Sequence, residues 1–214
     1  MSVRESGVPW PIAAHEAGGD APADHTVLER EIKLAVDALD PVRSRLQNMQ
    51  ARNLNVTFLH TAHERNLVLD TANDDLKARE ERLRIREIEG QPGVRVTWKG
   101  PAHMRGGVRR REEREFHADD REACVAVLAN LGLRPKRSYE KFRSSWKLDG
   151  VIVCLDMLPF GTFVEIEFTP DTPEGDEEAV LEKTISLLGL DGAPRVQASY
   201  ARLQQEWEGR KKRR

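Results

Sequence analysis

Charged and apolar positions alternate along this chain in short runs with a period of two. In Glu29-Arg30-Glu31-Ile32-Lys33 the residues at 29, 31 and 33 share one face of a strand, with Leu28, Ile32 and Leu34 on or beside the other. The same period returns in Leu83-Arg84-Ile85-Arg86, in Arg111-x-Glu113-x-Glu115, in Lys141-x-Arg143 and in Glu165-Ile166-Glu167. A single strand of this kind is an ordinary half-exposed strand. Several of them, whose second faces also need cover, predict a closed barrel with a charged interior.

The other elements follow from punctuation and helical spacing. Residues 1–25 are rich in Gly, Pro, Ala and Asp without periodicity and read as a disordered leader. One domain follows over residues 26–208, and Gly209 to Arg214 form a basic, solvated tail. After the first strand, Asp40 as N-cap and Pro41 as first helical residue predict a helix with Val42, Leu46 and Met49 on one side. Residues 56–70 carry one or two strands, and Thr71 to Glu80 form a polar connection. Residues 82–89 and 94–99 pair as a hairpin across Gly90-Gln91-Pro92-Gly93. A flexible loop through Gly106-Gly107 precedes a strand from Val108 to Phe116. Asp119 or Asp120 caps a helix with Cys124, Val127, Leu128 and Leu131 facing in, ended by Gly132. A second hairpin turns at Asp149-Gly150, between residues 138–148 and 151–158, and residues 163–168 close the β portion. Two helices finish the chain. Thr172-Pro173 starts the first, with Leu181, Thr184, Ile185 and Leu188 inward and Gly189 at its end; Val196, Tyr200, Leu203 and Trp207 stripe the second.

Composition narrows the functional classes. A third of the residues are charged, yet the net charge is only -2, so no overall basic field recruits nucleic acid. Cys124 and Cys154 are too few for a disulfide framework or a metal site and read as reduced core residues of a cytoplasmic protein. No apolar run approaches the ~20 residues that span a membrane, and the N-terminus lacks the apolar core of a signal peptide. Neither GxxxxGK[ST] nor a strand-coupled GxGxxG is present. His60-x-x-His63-Glu64 has the residue types of a metal motif in the wrong order and reads as structural or surface.

The motifs, taken in order, resemble the CYTH superfamily, the triphosphate tunnel metalloenzymes, which include class IV adenylate cyclases and thiamine and inorganic triphosphatases. Glu29-Arg30-Glu31-Ile32-Lys33 is similar to the family's ExExK signature. After it come LRIR at 83–86, TWKGP at 97–101, RxExE at 111–115, KxR at 141–143, LD at 155–156 and GTFVEIE at 161–167. Ser199-Tyr200-x-x-Leu203 is similar to the end of the bacterial and archaeal cyclase-like branch. One departure stands out: where relatives often have a polar, aromatic-containing strand before an Asp-Thr pair, this chain reads Glu64 to Thr71 as ERNLVLDT.

The resemblance implies an α+β fold, an eight-stranded antiparallel tunnel barrel with helices packed outside. It implies that Arg84, Arg86, Lys99, Arg111, Lys141 and Arg143 grip a triphosphate, since guanidinium forks match phosphate oxygens. It assigns Glu29, Glu31, Glu113, Glu115, Asp156, Glu165 and Glu167 to Mg2+ or Mn2+, with Glu29, Glu31 and Lys33 catalytic. Lys33 either binds phosphate or orients the nucleophile. The implied activity is a cyclase converting ATP to cyclic AMP and pyrophosphate, or a triphosphatase acting on tripolyphosphate or thiamine triphosphate. A non-catalytic triphosphate sensor is the reading from another class. The implied partner is a small-molecule triphosphate rather than nucleic acid or membrane, and a homodimer is left open.

Overall fold

The structure is a computed structural model that describes residues 26–213. The expected leader lies outside the described residues. Among the described residues nine strands form one sheet: β1 (Thr26–Val36), β2 (Val56–Asp70), β3 (Arg82–Ile88), β4 (Val94–Lys99), β5 (His103–Arg105), β6 (Val108–Ala118), β7 (Arg134–Leu148), β8 (Val151–Leu158) and β9 (Gly161–Phe168). Their order is β1-β9-β8-β7-β2-β3-β4-β6, and β6 pairs back onto β1. Every pairing is antiparallel, so eight strands close a barrel, and β5 is a short flap on β6.

The period of two sets the inside and the outside. Ile32, Leu34, Trp146, Val153, Leu155, Val164 and Ile166 point outward and are buried under α1 (Asp40–Ala51) and α4 (Glu177–Leu188), against Val42, Leu46, Leu181 and Leu188. Leu83, Ile85, Val94 and Val96 likewise pack under α3 (Arg121–Asn130) at Cys124. The apolar core therefore lies between barrel and helices, and the lumen is left to the charges. A third cluster, with Tyr139, Leu158, Phe163, Tyr200 and Ala201, seats α5 (Tyr200–Lys211) across one end of the barrel.

The structure decides between some local alternatives and corrects other expectations. Residues 56–70 are one strand, with an irregularity between Phe58 and His60. The connection at 71–80 contains a single helical turn, α2 (Asp75–Ala78), and the loop before Gly106 contains β5. Leu39, not Asp40, precedes α1, and no side chain caps that helix. Asp120 caps α3, its carboxylate accepting from the amides of Glu122 and Ala123 at 2.8 and 2.9 Å. Only one side of α3 rests on the sheet, through Cys124, Val125 and Leu128, which leaves Val127 and Leu131 58% and 71% exposed. Helix α4 starts at Glu177 rather than at Thr172, because the Thr172 hydroxyl donates to the Gly150 carbonyl at 2.6 Å and Gly175 sits at φ +107°. Helix α5 continues to Lys211, into the residues expected as tail. Among the described residues no helix is long and apolar enough to cross a membrane.

Candidate active site in the barrel interior

One cavity in the lumen is lined by Glu29, Glu31 and Lys33 of β1, Arg84 and Arg86 of β3, Lys99 of β4, Arg111, Glu113 and Glu115 of β6, Lys141 and Arg143 of β7, and Glu165 and Glu167 of β9. Strand pairing brings residues distant in sequence side by side: Glu31 is opposite Glu167, Lys33 opposite Glu165, and Glu29 opposite Arg111. The first strand is held from outside by the residue between its acids. Arg30 is buried, and its guanidinium donates to the carbonyls of Thr172 and Thr169 at 2.9 and 2.8 Å and to the Glu177 carboxylate at 3.0 Å.

The carboxylates fall into separate groups. Glu31, Glu165 and Glu167 bring one oxygen each to within 4.8 Å of one another. Glu29 and Glu113 flank the Lys99 ammonium, Glu29 at 2.7 Å. Glu115 pairs with Arg95 at 3.1 Å and accepts from Thr97 at 2.8 Å. Burial raises the pKa of Glu31, reinforced by Glu29 and Glu165. Burial also raises Glu29, against the pull of Lys99, and Glu29 keeps one buried oxygen without a hydrogen-bond partner. Glu167 is pushed up to about 7, chiefly by burial and against the pull of Arg143. Glu165 goes the other way: burial opposes its charge, but Lys33 and Arg143 outweigh it and hold the carboxyl well below its usual range. Three hard oxygen donors so close, two of them costly to ionise, fit a hard divalent cation.

A titration prediction follows from Glu167. Its folded pKa of about 7 lies above its ordinary value of 4.5, so folding favours the protonated form. That contribution to stability is complete below about pH 4.5 and is lost as the pH rises through about 7. In chelator, Glu167→Gln is expected to flatten the fall in melting midpoint between about pH 5.5 and about pH 8. An unchanged slope in the variant would refute the assignment.

The bases differ in how free they are. Arg86 is tied to Glu64 at 3.2 Å and to the Asn66 side chain at 3.0 Å, and Lys141 sits between Glu64 at 3.4 Å and Asp156 at 3.1 Å. Arg143 donates to Asp156 through Nε and Nη2, both at 2.6 Å, and also reaches Glu165 and Glu167. Arg84 and Arg111 each keep a buried Nε without a hydrogen-bond partner, and their terminal contacts are long, 3.4 Å to Thr97 and 3.4 Å to the Glu80 carbonyl. Lys33 is fixed 3.2 Å from Glu165, with its ammonium donating to the Ala198 carbonyl at 3.3 Å and lying 4.1 Å from the Tyr200 ring centroid.

Asp156, expected with the metal-binding carboxylates, is placed differently. It has no exposed surface, does not line the cavity, and accepts from Arg143, Lys141 and the Tyr200 hydroxyl, the last at 2.7 Å. Its oxygens are spent on holding these three side chains. The cavity also takes in Arg82, Arg95, Arg109 and Tyr139, which the motif reading passed over, and His60, Glu64 and Tyr200, to which it gave no role in the site. Arg82, Arg95 and Arg109 were accessible by extending the same alternation, as Arg82-x-Arg84-x-Arg86, Arg95-x-Thr97-x-Lys99 and Arg109-x-Arg111. His60 reads as structural or surface because the His-x-x-His-Glu order fits no metal motif, although it shares the face of Glu64 in the regular part of β2. The His-x-x-His-Glu run is split by the strand: His60 and Glu64 face the lumen, and His63 lies between the carboxylates of Glu89 and Glu140 at 2.9 and 3.0 Å.

This topology has relatives among solved structures. The fold is similar to PH1012 from Pyrococcus horikoshii, with a TM-score of 0.68 and 20% identity over 82% of this chain and 98% of that one. It is similar to a conserved hypothetical protein from Pyrococcus furiosus, with a TM-score of 0.66 and 26% identity over 82% and 99% of the two chains. It also resembles HpAC1 from Hippeastrum, described as revealing a dominant triphosphatase activity, with a TM-score of 0.61 and 23% identity over 80% and 92%. No curated protein matches the sequence. The family model for the CYTH domain matches residues 28–200, from the strand that carries Glu29, Glu31 and Lys33 to the tyrosine at the covered end of the barrel, and the chain belongs to that family.

Proposed function

We propose that this protein is a divalent-cation-dependent enzyme acting on a triphosphate held in the barrel, with ATP converted to cyclic AMP and pyrophosphate. The observation that carries the reading is the lumen itself, where the carboxylate trio on β1 and β9 faces bases from β3, β4, β6 and β7. Burying so many charges is costly unless a charged guest compensates them. A triphosphate carries about four negative charges, and Arg84 and Arg111 have unspent buried donors for its oxygens. Lys99, Arg86, Lys141 and Arg143 add positive charge already anchored by acids, so they cost little to order around the ligand.

Glu31, Glu165 and Glu167 would hold Mg2+ or Mn2+, which neutralises phosphate charge and eases deprotonation of the attacking oxygen. Lys33 is pinned beside that trio, where its ammonium either meets a phosphate oxygen or orients the nucleophile. Tyr200 and α5 cover one end of the lumen and exclude water there. In the cyclase reading the ribose 3'-hydroxyl attacks the α-phosphate in line and pyrophosphate leaves.

Hydrolysis is the second reading, favoured by the dominant triphosphatase activity described for HpAC1. Water would then attack the terminal phosphate of ATP, tripolyphosphate or thiamine triphosphate. Incubation with each substrate in Mg2+ and in Mn2+, with cyclic AMP, pyrophosphate and orthophosphate separated, tests both. Cyclic AMP with equimolar pyrophosphate supports the first and orthophosphate the second. Binding without any product leaves a sensor.

Ligand-linked stability gives an independent check. Tripolyphosphate with Mg2+ at about a hundred times Kd is expected to add ~2.7 kcal/mol to the folded state. At roughly 2–4 °C per kcal/mol for a domain of this size, the melting midpoint should rise by several degrees. The double variant Arg84→Ala/Arg86→Ala should abolish the rise. A wild-type midpoint unmoved by saturating triphosphates would make the lumen a self-paired network.

A further inference from the structure

A second cavity, of about 240 Å³, opens beside the lumen and shares Glu31, Lys33 and Arg109 with it. Its other walls differ in kind from the lumen: Met104 on the β5 flap, and Val196 and Gln197 on the segment between α4 and α5. It is smaller than the roughly 300–1,000 Å³ of a site for a whole drug-sized ligand, and suits part of a ligand whose charged remainder lies elsewhere.

The cavity is built, not incidental. The segment that carries Val196 and Gln197 is fastened to β1 by backbone bonds, Ala35 N–H to the Pro194 carbonyl at 2.9 Å and Val196 N–H to the Lys33 carbonyl at 2.8 Å. Lys33 itself donates to the Ala198 carbonyl at 3.3 Å. Arg195 ties the same segment to the flap by donating to the Gly107 carbonyl at 3.3 Å. Gly107 sits at φ +75°, a backbone conformation that favours glycine, and lies against the Arg195 guanidinium. The wall is thus hydrogen-bonded to the strand that bears the acids.

We propose that this groove seats the base and sugar of a nucleoside triphosphate, so that the first phosphate of the ester enters the lumen beside Glu31, Lys33 and Arg109. The inference rests on the triphosphate reading of the lumen. Met104 supplies a polarizable sulfur suited to an aromatic ring, and Val196 adds apolar surface. The Gln197 amide can both donate to and accept from a heterocycle edge. Lys33 and Arg109 are each paired with a carboxylate, Glu165 and Glu31, so the local excess of positive charge in the lining comes from Arg195. That excess repels the cationic thiazolium of thiamine triphosphate and admits a neutral nucleobase. Naked tripolyphosphate leaves the groove unused.

Calorimetric titration of the full chain in Mg2+ with methylene-bridged, non-cleavable ATP and tripolyphosphate, with thiamine triphosphate as competitor, tests the assignment. The wild type is expected to bind the ATP analogue about tenfold more tightly than either other ligand. Met104→Ala and Gln197→Ala should each weaken the ATP analogue severalfold, and Met104→Trp, which fills the groove, about tenfold or more, with the tripolyphosphate analogue unchanged in all three. Losses shared equally by both analogues, preference for thiamine triphosphate, or tight binding of the tripolyphosphate analogue alone would each overturn the groove and leave the lumen reading intact. Binding of neither analogue would overturn both.

Discussion

Glu31→Gln stops turnover without loosening the barrel. Glu31 contributes an oxygen to the carboxylate trio, and burial and two neighbouring acids already raise the cost of its charge. The amide removes that cost, as protonation would, and its carbonyl oxygen can still accept from Arg109, now 3.2 Å from Glu31. Stability should therefore stay within about 1 kcal/mol of the wild type or rise. On the proposed reading catalysis loses the charge that would hold the cation, and a fall of about a thousandfold in kcat corresponds to ~4 kcal/mol of transition-state stabilisation. Rate measurements across a Mn2+ titration, with a melt of the same sample, separate the two effects. A variant that keeps wild-type rates in chelator would remove Glu31 from the metal site, and one that unfolds would make it a structural acid.

Asp156→Asn has the opposite signature, a large loss of stability with cation affinity unchanged in the protein that remains folded. Asp156 is fully buried and holds Arg143, Lys141 and the Tyr200 hydroxyl at once. Removing one partner of a buried charge pair typically costs ~3–5 kcal/mol, because the surviving charges stay desolvated. At roughly 2–4 °C per kcal/mol the midpoint should fall by roughly 6–20 °C. Glu64 remains for Lys141, and Glu165 and Glu167 remain for Arg143, which favours the lower part of that range. An unchanged midpoint together with lost Mn2+ binding would restore Asp156 to the metal ligands.

The two acids show what an alternating pattern reveals and what it conceals. Period two identifies the face a residue occupies, and on that basis the closed barrel, its inverted polarity and the lumen face of β1, β3, β6, β7 and β9 were legible. It does not say how deep along the lumen a residue lies. Asp156 shares its face with Cys154, but the nearby Tyr200 of α5 seals it from the cavity, a contact that depends on 44 residues of intervening chain. Nor does a motif's order decide where a residue points: the His-x-x-His-Glu run fits no metal motif, yet its His60 shares the lumen face of Glu64. Arg30 was invisible for a third reason: it faces outward, and its value comes from Thr169, Thr172 and Glu177, which no local rule connects to β1. The helices erred where tertiary contacts override propensity, as when the Thr172 hydroxyl bonded Gly150 and delayed α4 to Glu177.

The last stave of the barrel carries a consequence for how the chain reaches this state. Strand β9 lies between β8, which immediately precedes it, and β1, whose Glu31 to Val36 pair with residues 162–167. Before β9 docks, the remaining seven strands can form only an open sheet whose free edges are β1 and β8. Such long-range closure slows folding and exposes edges on which other chains can add. Those two edges carry Glu31, Lys33 and Asp156 on the concave side, and charges on an edge strand discourage pairing with a stranger. Glu31 and Lys33, which line the lumen of the finished barrel, thus also protect its free edge before the final strand arrives.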